Sequence, residues 1–391
     1  MKIGFDASDL ATNRADGTTR YTRELARRLP LLGKDHQWLF FAPGDFEIGT
    51  PLPANVKKII SPWLKYWTQA RLPFDLLRYK PDVLFMPIQQ LPIMRPKKMK
   101  TVAVMHDLAF HMFGKQYTRK DWTLLHAFST QVARQADAII AVSQSTAHDI
   151  GTYYGRTKDV HVIHHGVDLQ KFHVPSEAEQ ENSWQQLIRS YPPLKKPYLL
   201  YVGQMQPRKN LVRLIQAFEL VKAQQPDLQL VISSGHGWKQ AEILNGINSS
   251  PVKDSIYMPG AVVDDLLPAL YWHAQAFALV STYEGFGMPI LEALACGTPV
   301  VTSNVSSMPE VAFSSPDKGR LGGVHNYTQP HLSPLSGGRN QNPVVLVDPT
   351  SVESIAEGIK KALLLQRGGG LTNEHSWDVC AQRTWQVIRQ G

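Results

Sequence analysis

Cysteine is almost missing from this 391-residue chain, with only Cys296 and Cys380, far apart in sequence. No disulfide framework and no cysteine-based metal cluster can be built from two such residues, which favours a reducing compartment. Cys296 lies in the apolar run Ala-Leu-Ala-Cys-Gly and reads as packing. Apolar runs of about 18 residues are lacking as well, so no segment reads as a membrane span. The opening Met1-Lys2-Ile3-Gly4-Phe5-Asp6 meets charge too early to read as a signal peptide. No internal repeat and no nucleic-acid module is legible, and the aromatics form no stacking motif, which argues against a nucleic-acid partner.

What remains is a packed protein, 43% hydrophobic and 19% charged. Its length suits two domains of about 150–200 residues each. The net charge of +8 is unevenly placed: residues 1–196 hold 27 Lys/Arg against 18 Asp/Glu, and the rest hold 14 against 15. A basic first half can serve nucleic acid, anionic lipid or an acidic acceptor.

Short apolar runs alternate with helical patterns, which implies α/β architecture with parallel strands and crossover helices. In the first half, residues 2–5, 38–42, 56–60, 83–86, 101–105, 138–142 and 160–163 read as strands. Residues 18–32, 118–135, 145–154 and 182–191 read as helices. Pro192-Pro193-Leu194-Lys195-Lys196-Pro197 reads as a linker, after which the strand–helix rhythm restarts. The predicted domains are 1–192 and 193–375, with 376–391 a last amphipathic helix. Two doubly wound sheets in tandem imply ligand binding in a cleft outside the carboxyl ends of their strands. Residues 314–343, rich in Gly, Ser, Pro, Asn and Gln, read as a flexible surface insertion.

Two motifs carry chemistry. In Tyr283-Glu284-Gly285-Phe286-Gly287-Met288-Pro289-Ile290-Leu291-Glu292, two carboxylates flank a glycine-rich bend that opens a helix. Pro289 suits the first helical turn, and N–H groups from Gly287 to Leu291, with the positive dipole end, suit an anion or sugar hydroxyls. In Gly203-Gln204-Met205-Gln206-Pro207-Arg208-Lys209-Asn210, a strand ends and Asn210 is the expected N-cap of the next helix. Arg208 and Lys209 then stand in the loop, suited to a leaving diphosphate whose charge grows as a glycosidic bond breaks. Together the motifs suit a nucleotide-sugar.

The Glu284–Glu292 run, continuing through Ala293-Leu294-Ala295-Cys296-Gly297-Thr298-Pro299, resembles the Glu-x7-Glu motif of retaining glycosyltransferases of family 4. The Gly203–Asn210 loop resembles that family's Gly-x-x-x-x-x-Lys-Asn loop, and Ser376-Trp377-Asp378 matches its C-terminal segment. The resemblance implies the GT-B fold, two Rossmann-like domains facing across a cleft. It assigns Glu284 to sugar hydroxyls near the reacting carbon, helped by N–H groups of Phe286, Gly287 and Met288. It assigns Glu292 to the ribose, Leu291 to phosphate and ribose, and Val263 to the base through backbone contacts. It also implies that Gly203 lies at the donor, that Gly17 and Thr18 form a loop reaching the donor phosphates, and that His106 of Val104-Met105-His106-Asp107 faces the transferred sugar. Gly17 stands where relatives usually carry two glycines. His164-His165-Gly166-Val167-Asp168 resembles a structural turn near the hinge.

The resemblance further implies same-face transfer of a hexose, with the catalytic set Glu284, Lys209, Arg208 and His106, no metal and no cofactor. Asp264-Asp265 does not form a convincing Asp-x-Asp motif. Closeness to the mannosyltransferase branch of O-antigen and polysaccharide assembly makes GDP-mannose the first expected donor, with UDP- and dTDP-hexoses behind it. The expected acceptor is a glycan or lipid-linked oligosaccharide. Arg20, Arg23, Arg27 and Arg28 beside Tyr21, Leu25, Leu29 and Leu32, and the stretch holding Trp63, Lys65, Tyr66, Trp67, Arg71 and Arg78, suggest an anionic membrane surface as partner. The expected location is the cytoplasm, peripheral on the inner face of the cytoplasmic membrane. A phosphorylase or sucrose-synthase-type enzyme, a sugar-nucleotide epimerase and a non-catalytic nucleotide-sugar-binding protein remain alternatives.

Overall fold

The computed structural model describes residues 1–12, 16–63, 65–235, 240–313 and 343–390, in two compact units. Among these residues the first unit comprises 1–166 with 375–390, and the second 167–313 with 343–374. The break therefore falls after Gly166, ahead of the proline-rich stretch predicted as the linker. The reason is the Glu177–Ser190 helix, which belongs to the second unit: Ser183 Oγ lies 3.0 Å from His273 Nε2 there. Of the predicted 314–343 insertion, all but Pro343 lies outside the described residues.

The first unit holds β1 (Lys2–Asp6), β2 (Gln37–Ala42), β3 (Val56–Ile60), β4 (Val83–Met86), β5 (Lys100–Met105), β6 (Ala138–Ala141) and β7 (Val160–Val162). They form one parallel sheet in the order β3-β2-β1-β4-β5-β6-β7. The central strands are apolar on both faces because helices cover both. Phe5 stacks on Phe40 at 4.6 Å between ring centroids and meets Phe85 at 5.5 Å. The strand order reverses between β1 and β4, so the carboxyl ends near them form the ligand-binding position of such a sheet.

The Gly17–Leu32 helix begins one residue earlier than predicted, because the Asp16 carboxylate caps it by accepting the Thr19 N–H at 3.0 Å. Gly17 and Thr18 are thus its first turn, not a loop. Of its stripe, Tyr21, Leu25 and Leu29 are fully buried core and only Leu32, at the last turn, is exposed, while Arg27 and Arg28 are turned onto Glu24. Two short helices, Trp67–Ala70 and Leu72–Tyr79, were not predicted. Trp67 there is buried and donates to the Ser61 carbonyl at 2.9 Å, while Arg71 pairs with the buried Asp75 at 3.0 Å.

The C-terminal helix Trp377–Gln390 packs on the Gly17–Leu32 helix. Arg28 Nε donates to Asp378 at 2.6 Å, and Trp385 lies 5.8 Å from Trp38. Cys380 is buried in this helix and Cys296 in the second unit, both as thiols.

Asp6 ends β1 at the strand-order reversal and is 1% exposed. Its Oδ1 accepts the Ser8 N–H at 2.9 Å, and Oδ2 has no hydrogen-bond partner among the described residues. Burial raises the carboxyl to about 6, from 3.8 in the unfolded chain. The folded state thus binds the proton more tightly, so stability falls as pH rises from about 4 to about 6. Asp6→Asn is expected to remove that slope and to stabilise the protein above pH 6 by up to about 3 kcal/mol. Thermal unfolding of both proteins between pH 4 and pH 8 checks this, and parallel curves would contradict it.

The second unit repeats the plan with β8 (Tyr198–Val202), β9 (Gln229–Ser233), β10 (Ile256–Gly260), β11 (Ala276–Leu279), β12 (Val300–Ser303) and β13 (Val344–Val347). The parallel order is β10-β9-β8-β11-β12-β13, so the reversal here lies between β8 and β11. Ala276 and Phe277 of β11 pair with Leu199 and Leu200 of β8, which puts the loops after these two strands side by side.

Candidate functional site

The two sequence motifs are those two neighbouring loops. After β8 the chain makes a single tight turn, Pro207–Lys209, that presents Arg208 and Lys209. After β11 it bends through Ser281–Gly287 into the helix Met288–Ala295. Backbone bonds lock the loops together: the Arg208 carbonyl accepts the Thr282 N–H at 2.9 Å and the Thr282 hydroxyl at 3.1 Å.

Asn210 departs from its expected role as a side-chain cap. It adopts a left-handed conformation, φ 61°, and its side-chain amide instead donates to the carbonyls of Val280 at 3.0 Å and Pro349 at 2.7 Å. It is a strut between the β8 loop and the end of β11. Asparagine suits this place because it tolerates positive φ and carries two amide donors.

At the centre is Glu284. Its Oε1 accepts from Lys209 Nζ at 2.6 Å and from the Ser281 hydroxyl at 2.6 Å; its Oε2 accepts from Arg208 Nη1 at 2.8 Å. Arg208 also donates to the Tyr283 carbonyl at 3.0 Å and the Gln206 side chain at 3.1 Å. Burial by itself would raise the Glu284 carboxyl, but Lys209 and Arg208 outweigh it and hold the group at about 2. Glu284 is therefore ionised throughout the neutral range and a weak nucleophile. Its side chain is 6% exposed, whereas those of Arg208 and Lys209 are 15% and 14% exposed, so an anion can reach the cations without unfolding the loop.

Three serines that the motif reading missed fix the bend. The Glu284 carbonyl accepts from Ser306 Oγ at 2.6 Å and Ser307 Oγ at 2.9 Å, and Ser307 Oγ also reaches the Phe286 carbonyl at 2.7 Å. Ser303 Oγ donates to the Ser281 carbonyl at 2.6 Å. The signal available was the serine-rich run Ser303-Asn304-Val305-Ser306-Ser307, which leaves β12 beside β11.

Gly287 starts the helix at φ 109°, where an added Cβ would also approach Ile290 to 3.2 Å. The Ile290 N–H is already bonded to the Gly287 carbonyl at 3.0 Å, so the expected row of donors from Gly287 to Leu291 is shorter. Leu291 is buried, and its side chain belongs to the core. Glu292 is also buried, and its Oε2 accepts from the Tyr271 hydroxyl at 2.9 Å, a positioning contact the sequence did not reveal. Gly203 leaves β8 beside these loops, its N–H bonded to the Ser233 carbonyl at 3.1 Å. Val263 follows β10, separated from β8 by β9; its N–H lies 3.3 Å from the Tyr191 hydroxyl.

The structure thus brings Arg208, Lys209 and Glu284 into direct contact, with Gly287 and Glu292 on the same helix start. His106, Gly17 and Thr18 belong to the first unit. His106 Nε2 lies 2.7 Å from the Pro87 carbonyl. A carbonyl only accepts, so the neutral ring carries its proton on Nε2, and Nδ1 is its acceptor. Burial lowers the pKa of His106, which keeps the imidazole neutral.

Residues 15–171 match the model described as Glycosyltransferase Family 4, and residues 183–326 match that of Glycosyl transferases group 1. The chain thus carries a glycosyltransferase family 4 domain and a glycosyltransferase group 1 domain. It is 31% identical over 199 residues to O-antigen chain mannosyltransferase B of Escherichia coli, covering 51% of this chain and 47% of that relative. The chain thus spans about half the length of that curated relative. Among solved structures it is similar to sucrose-phosphate synthase of Thermosynechococcus elongatus, with TM-score 0.71, 17% identity and coverage of 100% and 98% of the two chains. Alr3699/HepE of Anabaena, solved with UDP-glucose, gives TM-score 0.64 at 17% identity, again covering 100% and 98%. These likenesses establish the fold as GT-B, with two Rossmann-like parallel sheets, one in each unit.

Proposed function

We propose that this family-4 chain is a retaining, metal-independent hexosyltransferase that uses a nucleotide-sugar, with GDP-mannose the first candidate. The acceptor would be a hydroxyl of a glycan or lipid-linked oligosaccharide. One observation carries the reading: a buried carboxylate clamped by two reachable cations where the sheet order reverses. In the absence of donor, Glu284 acts as the counter-ion of Arg208 and Lys209. The donor diphosphate takes over those cations, and the carboxylate then turns to the hydroxyls of the sugar.

The anomeric carbon–oxygen bond to the diphosphate breaks as the acceptor oxygen bonds to that carbon on the same face. The acceptor proton passes to the departing phosphate oxygen. Arg208 and Lys209 stabilise the charge that develops on the diphosphate. Glu284, held at about 2 by its cations, is unsuited to covalent attack, which supports direct same-face transfer. The likeness to an O-antigen mannosyltransferase supports mannose; the UDP-glucose bound to Alr3699/HepE supports UDP-hexose as the second donor reading.

Donor consumption across GDP-mannose, UDP-hexoses and dTDP-hexoses, with and without chelator, tests this. Turnover of GDP-mannose with an α-linked product and no chelator effect is expected. Phosphate-dependent disaccharide breakdown, or no consumption of any donor, would overturn it.

A further inference from the structure

Arg208 is held by more than its ion pair. Its Nη1 donates to Glu284 Oε2 at 2.8 Å and to the Tyr283 carbonyl at 3.0 Å. Its Nε donates separately, to Gln206 Oε1 at 3.1 Å. The donor diphosphate displaces Glu284 from this set as it takes over the cations. Gln206 bonds a different nitrogen, so its hold on the plane of the guanidinium outlasts the exchange.

The surroundings of Gln206 suit a fixed contact. It is buried, and both ends of its amide are engaged. An arginine Nε only donates, so the atom facing it is the amide oxygen. The amide nitrogen is thereby turned to Gln204 and donates to its Oε1 at 2.7 Å. Gln204 is fastened to the sheet in turn: its carbonyl accepts from the hydroxyl of Tyr201, a fully buried residue of β8, at 3.1 Å. The Gln206 carbonyl accepts the Lys209 N–H at 2.9 Å, and Pro207, with its fixed φ, stiffens the turn between them. One glutamine thus braces both cations, Arg208 through its side chain and Lys209 through its backbone.

The neutrality of this brace matters. A carboxylate in its place would also satisfy Nε, but it would offset charge that the departing diphosphate needs. An amide aligns the planar fork for phosphate oxygens and leaves that charge available.

We propose that Gln206 is a positioning residue for the donor diphosphate, holding Arg208 in the plane that meets the phosphate oxygens once Glu284 has turned to the sugar. The role rests on the nucleotide-sugar reading, and nucleotide binding tests it separately from turnover.

The test is a double-mutant cycle on the full chain. It is read by calorimetric titration with GDP and with UDP, and by single-turnover consumption of GDP-mannose or UDP-glucose. Gln206→Ala, and Gln206→Met with most of the side-chain volume kept, should each weaken nucleoside diphosphate binding about 3–10-fold, the worth of one hydrogen bond. Both should lower the single-turnover rate further, by about 10²-fold, since a misplaced group costs most in the transition state. Lysine has no Nε–H for Gln206 to hold. Either Gln206 substitution added to Arg208→Lys should therefore cost no further affinity or rate. Losses that add in the double variants would overturn the proposal, because Gln206 would then act on the loop and not through Arg208. So would single variants that behave like wild type, or a wild type that binds neither nucleotide. Donor left unconsumed by the wild type while the coupling in affinity persists would count against the transfer reading alone.

Discussion

Lys209→Ala is expected to lower turnover roughly 10²–10³-fold, the usual loss when one preorganised charge donor to a transition state is removed. It should also weaken nucleoside diphosphate binding by about 10-fold or more, since a charge-assisted hydrogen bond is lost. Glu284→Gln should cut turnover comparably but behave differently in binding. In the wild type the diphosphate must compete with a carboxylate 2.6 Å from Lys209 and 2.8 Å from Arg208. The glutamine variant has no such competitor, so nucleoside diphosphate should bind as tightly as to wild type or more tightly. Without ligand the same variant leaves two largely buried cations lacking their counter-charge, at a cost of about 3 kcal/mol, which added nucleotide should restore. Calorimetric titration with nucleoside diphosphate and single-turnover rates separate these effects. Near-normal turnover in either variant, or equal weakening of nucleotide binding in both, would contradict the counter-ion arrangement.

Gly166→Ala is expected to be the most damaging single methyl addition in the first unit. A Cβ at Gly166 would stand 2.5 Å from the Ser376 carbonyl carbon and closer still to the Trp377 nitrogen. Backbone cannot step aside as a flexible side chain can. The Trp377–Gln390 helix would have to move, and with it Trp377, whose ring packs 5.8 Å from His165 and 6.0 Å from Tyr21. Overpacking of this kind costs about 1–3 kcal/mol or more, so the unfolding midpoint should drop by roughly 3–10 °C. Gly246→Ala is the control: it lies inside the Ala241–Ser249 helix with nothing within 4 Å of the new Cβ. It should stabilise by about 0.5–1 kcal/mol. Scanning calorimetry of both variants decides the matter, and equal midpoints would remove the proposed role of Gly166.

Most strands were legible because a parallel sheet covered on both faces leaves short apolar runs bounded by turn residues. Runs such as Val83–Met86 and Ala276–Leu279 have no other good reading. The Leu72–Tyr79 helix was not legible, because its outward Phe74 and Leu77 erase the polar stripe that marks a surface helix. Trp67 read as surface from its basic neighbours, yet its indole N–H is satisfied inside the fold. Asn210 read as a cap from position alone. Its left-handed backbone turns the side chain toward Val280 and Pro349, partners 70 and 139 residues away.

By itself the sequence determined the repeated strand–helix plan, the two loops that carry charge and the chemical types in them, because these rest on local periodicity and on turn and helix-start residues. Tertiary structure alone decided that the loops are neighbours, through the pairing of β8 with β11. It also decided that one carboxylate answers both cations, that Tyr271 and the serines orient the acids, and which apolar side chains stay outside. Those outcomes depend on contacts between residues distant in the chain and on burial, and neither quantity is written in any short window of sequence.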